Sequence, residues 1–360
     1  MPAVSDAVWS EQGTTPDRIE AALRGLLAER HAENGGFAPA RALNMIAFVD
    51  RQWSGEIANR LRGVGRYHAS RLVVLSYEPG RERLDARATV ASEGDPRPGE
   101  LSLLRETVVV ELGDRHLDDL ATIADPLVVT DLPTLLWSPH GHNEIIEGLL
   151  GLAQAVLLDS VDEPDFCAAI ERARALSKRA YVVDLAWLRS TPWRERIATA
   201  FDPPAMRREL RTVADVAIRH HPESAIAAML LVGWLASRLE WEVQPLRAAG
   251  HDLVGTAHAG AADGGETQAV ALRLQSAPEL QVRGLAGLAL QTASGRALRL
   301  DRGAGGLHAY SRDPRGREQE WTILGASRGE AGILGEGIRQ ALLRDPTYTP
   351  ALAAAARLAP

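Results

Sequence analysis

The sequence predicts an α/β protein: a mostly parallel sheet flanked by helices in the N-terminal half, followed by an antiparallel α+β C-terminal domain. Three observations predict it. Short, nearly continuous apolar strands alternate with helical patterns up to about residue 184, as in a sheet covered on both faces. One stretch, 225–236, is apolar almost all round, which marks a central buried helix. Beyond residue 267, short alternating segments follow one another at turn signals, the pattern of successive hairpins.

Taken in order, the first helix opens at Thr15 with Pro16 at its first position and Asp17 and Glu20 near its positive end. Ile19, Leu23, Leu26 and Leu27 form its apolar stripe, and Asn34-Gly35-Gly36 ends it. A strand over 43–49 leads to a helix carrying Ile57, Leu61 and Val64, then to a strand over 72–75. The stretch 87–112 alternates and lacks a helix, so it predicts an antiparallel edge with strands near 87–91 and 106–112. Strands over 134–137, 155–158 and 181–183 follow, with helices over 117–124, 144–152 and 165–177. In the second half a strand over 211–218 precedes the buried helix, which Ser224 caps. Residues 248–266 are rich in Gly, Ala and His and read as a loop. Strands over 267–275, 281–291, 297–301, 307–310 and 319–323 come next, with Gly303-Ala304-Gly305-Gly306 as a hairpin turn, and a helix covers 329–343. The domains are set at 1–188 and 189–360, with a boundary good to about 20 residues.

Composition narrows the function classes. A chain of 360 residues with 46 % apolar and 24 % charged residues can bury a sizeable core. A net charge of −7 argues against a general nucleic-acid binder, which needs a basic face. Lys178 is the sole lysine; the arginine excess, with abundant Ala, Gly and Leu, reads as bias toward GC-rich codons. The single cysteine, Cys167, excludes an intramolecular disulfide and reads as an inert buried thiol. The first 13 residues are polar and mixed, and the longest apolar run is shorter than the ~20 residues of a membrane span. A cytoplasmic protein without membrane contact is expected.

Several residues could carry chemistry. His140-Gly141-His142 offers two imidazoles, but no third metal ligand stands at familiar spacing. His220-His221 would face opposite sides of a strand. Gly63-Val64-Gly65 closes a helix instead of opening one and fails as a dinucleotide fingerprint. Asp50, Asp159 and Asp184 close or follow strands, where ligands bind in open sheets but where aspartate also caps helices. Capping is preferred for Asp159, and Asp184 is left open. No set of nucleophile, base and oxyanion donors assembles, so the residues alone give no active site, and no cofactor or metal is expected.

Segments spread over most of the chain resemble the glucose-6-phosphate dehydrogenase assembly (OpcA) family. They include His68-Ala69-Ser70-Arg71-Leu72, Pro126-Leu127 through Asp131-Leu132-Pro133-Thr134 to Trp137-Ser138-Pro139, and Leu158-Asp159-Ser160. The most specific is Asp184-Leu185-Ala186-Trp187 running into Thr191-Pro192-Trp193-Arg194-Glu195 and Phe201-Asp202-Pro203-Pro204. Gly233-Trp234 through Leu239, and Asp345-Pro346-Thr347-Tyr348, add to it. The resemblance implies a non-catalytic partner and activator of glucose-6-phosphate dehydrogenase. With Cys167 alone, the cysteine-based control associated with cyanobacterial members should be absent. Trp and Arg are enriched at interface hot spots, so Arg71, Trp137, Trp187 and Arg194 are the candidate partner contacts. Trp193 shares a helix face with Ile197 and Phe201 and reads as core, as does Trp234. The rival reading is a sugar-phosphate-binding α/β enzyme with Ser70, Arg71 and Asp184 around a ligand edge.

Overall fold

A computed structural model describes residues 6–33, 37–38, 41–65, 70–92, 102–260, 267–324 and 329–360. The Asn34-Gly35-Gly36 stop, His68-Ala69 and residues 261–266 lie outside them. The chain divides into two compact units: Met1–Leu158 with Arg179–Val183 and Glu330–Arg344, and Asp159–Lys178 with Asp184–Gly329 and Asp345–Pro360. Besides the passage at residue 184, the chain thus moves between units at four further points.

The elements to residue 184 are β1 (Ala7–Glu11), α1 (Pro16–Glu33), β2 (Phe37–Ala38), β3 (Leu43–Asp50), α2 (Ser54–Gly65), β4 (Ser70–Tyr77), β5 (Asp85–Ser92) and β6 (Ser102–Leu112). They continue as α3 (Leu120–Ala124), β7 (Thr134–Trp137), α4 (Asn143–Leu149), β8 (Ala155–Leu158), α5 (Phe166–Ser177) and β9 (Tyr181–Asp184). In the first unit the sheet runs β1-β5-β6-β4-β3-β7-β8-β9, with β2 beside β6. The pairs β6–β4, β4–β3, β3–β7 and β7–β8 are parallel, while β1–β5 and β5–β6 are antiparallel. The expected antiparallel flank at 87–112 is therefore present. β3, β7 and β8 are buried along nearly their whole length, because apolar side chains on both faces demand cover on both.

The rest comprises α6 (Leu185–Arg189), α7 (Thr191–Phe201), α8 (Pro204–Leu210), β10 (Val213–His220), α9 (Ala225–Leu239), β11 (Glu242–Val243), β12 (Arg247–Ala249) and β13 (Asp252–Ala259). Then follow β14 (Gln268–Ser276), β15 (Leu285–Thr292), β16 (Ala297–Gly303), β17 (Gly306–Arg312), β18 (Glu318–Leu324), α10 (Gly329–Leu343) and α11 (Tyr348–Leu358). The second sheet runs β11-β13-β14-β10-β15-β16-β17-β18 and is antiparallel except at β10–β14. α9 lies against β10 and β14 and packs on α11. A Cβ at Gly233 would collide with the Ala351 carbonyl, so glycine is what lets α9 and α11 approach so closely. Ser224 sits at the start of α9 as expected, but its hydroxyl accepts from the Gly284 N–H at 2.9 Å instead of capping the helix.

Three expectations give way. Residues 247–259 form β12 and β13, not a loop; Gly255 lets the Leu246 side chain close on the strand, where a Cβ would meet it at 2.7 Å. β1, over residues the sequence reading left without an element, is a strand with an alternating half-buried pattern whose strand partner among the described residues is β5. Cys167 and Trp234 are half-buried and not core.

Candidate functional site

Three clusters of polar groups stand out, two in the first unit and one in the second. At the start of β4, Arg71 turns inward. Its Nε donates to Glu106 Oε2 at 2.7 Å and its Nη1 to the Leu127 carbonyl at 3.2 Å. Arg71 and Glu106 face each other across the parallel β4–β6 ladder, and Arg41 donates to the other carboxylate oxygen. On the neighbouring strand, buried Asn44 donates to the Val129 and Leu132 carbonyls at 2.9 and 3.3 Å and accepts from the Val129 N–H at 2.9 Å. Asp131, between these anchors, takes the left-handed conformation at φ 72°, which aspartate tolerates better than most residues. Arg71 and Asn44 together thus pin the backbone of the run from Pro126 to Thr134. The sequence signal for Asn44 is a lone amide inside an apolar strand.

The second cluster lies at the opposite ends of the same strands. β3 has β4 and β6 on one side and β7 and β8 on the other, so its C-terminal end is a topological switch point, where open α/β sheets bind ligands. Asp50 closes β3 there, and Gly141 (φ 94°) and His142 (φ 56°) bend the chain after β7. A His142 ring nitrogen lies 2.9 Å from Asp50 Oδ1, and the ring meets Phe48 edge-on at 5.0 Å. His140 lies against the exposed Trp53 at 5.4 Å between centroids. Burial pushes the His140 pKa below its ordinary value. Tyr77 donates to Asp114, which raises the phenol and lowers the carboxyl. An imidazole oriented by a carboxylate can move protons. The β3–α2 turn, Asp50-Arg51-Gln52-Trp53-Ser54, offers no glycine cradle for a phosphate, and Arg51 is engaged by Glu78. Among the described residues no group of three His, Cys, Asp or Glu is placed to hold a metal. Beside this edge a concavity of 750 Å³ lies along β4, β5 and β6, lined by Ser70, Leu72 and Val74 of β4, Arg87 of β5 and Val109 of β6.

The third cluster is buried in the second unit. Asp184 caps α6, accepting from the Ala186 N–H at 3.0 Å and the Ser160 N–H at 3.2 Å, while Tyr348 donates its hydroxyl to Oδ2 at 3.1 Å. No cation pairs with Asp184 among its described contacts. Burial first, and then the charge of Asp159, push its pKa up to about 6. Asp159 itself caps the turn at Val161 and pairs with Arg189 at 2.7 Å. Trp187 lies against Tyr348 at 5.6 Å and donates its indole N–H to Asp345 at 2.9 Å. The Arg194 guanidinium stacks 3.6 Å from the centroid of the Trp187 ring and donates to Ser190, Thr191 and the Trp187 carbonyl. Burial lowers its pKa to about 10. Burial acts to raise the Asp345 carboxyl, but hydrogen bonds from Thr347 and Trp187 and the Arg194 charge outweigh it and leave it below its usual value.

The four expected partner contacts are all inside: Arg71 is 6 %, Trp137 3 %, Trp187 2 % and Arg194 9 % exposed. Strand ends surface side chains only where no element covers them, and β7 is buried throughout while Trp187 folds onto Tyr348. Nor do the three ligand-edge candidates meet. Ser70 lines the concavity, Arg71 points to Glu106, and Asp184 belongs to the second unit's cluster. Trp193, Ile197 and Phe201 are buried together as expected.

Two family models match in succession along the chain. Residues 62–175 match the N-terminal domain of the glucose-6-phosphate dehydrogenase subunit family, and residues 180–352 match the C-terminal domain of the same family. A provisionally named OxPP cycle protein OpcA from Synechocystis sp. is 30 % identical over 132 residues, covering 35 % of this chain and 27 % of that protein. Its counterpart from Nostoc punctiforme is 31 % identical over 130 residues, covering 35 % and 28 %. The matched segment spans less than a third of these curated relatives. Among solved structures, an apo scyllo-inositol dehydrogenase from Lactobacillus casei superposes with TM-score 0.45 at 13 % identity, over 89 % of this chain and 96 % of that one. UDP-N-acetylglucosamine 3-dehydrogenase from Acidithiobacillus ferrooxidans gives 0.43 at 13 %, over 88 % and 97 %. At these values nothing about activity follows. Among the described residues no helix is long and apolar enough to cross a membrane.

Proposed function

Because the chain belongs to the OpcA family of glucose-6-phosphate dehydrogenase assembly proteins, we propose that it is a non-catalytic partner that binds this dehydrogenase directly and activates it. Membership of the family supports a role in the oxidative pentose phosphate cycle. The observation that carries the proposal is the succession of the two family domains over residues 62–175 and 180–352. The site geometry is consistent with it. The segments that resemble the family converge on two buried networks, around Arg71 and around Asp184, whose side chains are spent on holding backbone. Such networks shape a surface without touching what docks there. The exposed Trp53 with His140, at the switch point of the first sheet, has the residue type enriched at hot spots and is our candidate contact.

Activation without chemistry has a thermodynamic form. The partner binds the active conformation or oligomer of the dehydrogenase more tightly than the inactive one. A coupling of about 1–3 kcal/mol changes substrate affinity roughly 5- to 150-fold, and reciprocity makes substrate tighten the complex by the same factor. The test is a titration of the purified chain into the dehydrogenase of the same organism, following NADPH at sub-saturating substrate, with size-exclusion chromatography of the mixtures. Saturable activation with a co-eluting complex is expected, and Trp53→Ala should weaken it. Absence of both, with both proteins folded, overturns the proposal.

A further inference from the structure

We propose that the outer edge of β18 pairs with the same strand of a second copy of this chain, joining the two second-unit sheets into one antiparallel sheet across a two-fold axis. β18 is the last strand of its sheet. It pairs with β17 over all seven residues, Glu318 to Leu324, without a bulge, and among the described residues no strand lies on its other side. Six of its seven residues are exposed, including Trp321 at 42 % and Leu324 at 78 %. An open edge of this length presents a row of unpaired backbone donors and acceptors. Folded proteins blunt such edges with charged side chains, lysine above all, with proline, bulges or very short strands. β18 has no lysine, proline or bulge, and its charges, Glu318 and Glu320, lie in its first half.

The pattern of side chains selects the occupant. An antiparallel pairing centred on Trp321 sets Trp321 against its own copy, Glu320 against Thr322, Gln319 against Ile323 and Glu318 against Leu324. No like charges face each other, and the aromatic pair sits on the axis, where cross-strand aromatic contact is stabilising. Ala309, directly across on β17, is too small to cover the indole from the other side. β15 to β18 already form an antiparallel meander, so the added strand continues its pattern. A self-complementary patch of this kind is what an isologous two-fold contact requires. The inference stands independently of the proposed dehydrogenase partnership.

Sedimentation velocity of the full chain over a range of concentrations tests it. A reversible monomer–dimer equilibrium is expected, and Trp321→Lys should raise its dissociation constant roughly tenfold or more. Cross-linking guards against a variant that fails to fold. In a Cys167→Ser background, Trp321→Cys should give a covalent dimer on mild oxidation. Gln319→Cys should cross-link only when mixed with Ile323→Cys. A chain that stays monomeric at every concentration overturns the proposal. So does a dimer indifferent to Trp321→Lys, or one whose thiol at 321 does not cross-link. Protection of that thiol only when the dehydrogenase is added would also overturn it, in favour of a foreign strand on the same edge.

Discussion

In the first unit a buried carboxylate, that of Glu106, faces the guanidiniums of Arg71 and Arg41. In the second, Asp184 is buried as deeply and faces a phenol and two backbone amides. Both arrangements satisfy the carboxyl oxygens, but only the first supplies a counter-charge. A buried ion pair is costly chiefly when one partner is removed. A buried carboxyl without a cation answers burial by holding its proton, and Asp184 does so up to about pH 6. Similar burial therefore meets a counter-charge in one unit and, in the other, a carboxyl that titrates late.

The largest effect expected from this difference is that of Glu106→Ala. It strands two guanidiniums beside an apolar sheet and should cost about 3–5 kcal/mol by denaturant unfolding. A loss under about 1 kcal/mol would mean that the arginines swing out to water and that the ion pair does not hold the segment. The pH profile is next. The folded-state pKa of Asp184, about 6, lies above its ordinary 3.8, so between those values the native protein holds a proton that the unfolded chain has lost. Stability from this group is therefore fully present below pH 3.8 and lost as pH rises through 6, by on the order of 3 kcal/mol. Comparing wild type with Asp184→Asn from pH 4 to 8 should show that slope disappear in the variant; parallel curves would place Asp184 at an ordinary pKa. Tyr348→Phe removes one hydrogen bond and should cost about 1 kcal/mol. The cost should grow above pH 6, where the phenol serves an ionised carboxylate, and a pH-independent cost would count against the late-titrating carboxyl. Smallest is Glu20→Gln, which breaks the pair between half-buried Glu20 and exposed Arg24 on α1 and should change stability by less than about 0.5 kcal/mol.

What can be read in advance follows the same division between covered and uncovered chain. β7 and β8 are continuous apolar runs, and their limits, 134–137 and 155–158, are those the sequence predicts. α11 goes unread in the sequence: half of its buried face is alanine, Ala351, Ala354 and Ala355 beside Tyr348, Leu352 and Leu358, and the close packing on Gly233 that makes the small side chains useful is a tertiary fact. β13 reads as loop for a related reason, its Gly, Thr and Ala being strand-competent only beside β14. The polar networks are half legible. Asp159 at a turn is local chemistry and foreseeable, whereas the reach of Tyr348 to Asp184 spans 164 positions. Residue type alone puts Trp137, Trp187, Arg71 and Arg194 on the outside. Burial decides where such side chains point, and one sequence does not report which neighbour covers a strand end.

The chain also returns late to both units: Glu330–Arg344 belongs to the first and Asp345–Pro360 to the second. On the ribosome, the strands of the first sheet are complete once residue 184 has emerged, yet their unit is not complete until residues near 344 follow. α9, apolar nearly all round, must likewise wait for α11. A nascent chain of this design carries unsatisfied core surface through much of its synthesis, whereas domains normally fold one after another from the N-terminus. Its yield in the cell should depend on chaperone supply more than that of a protein whose units close in sequence order.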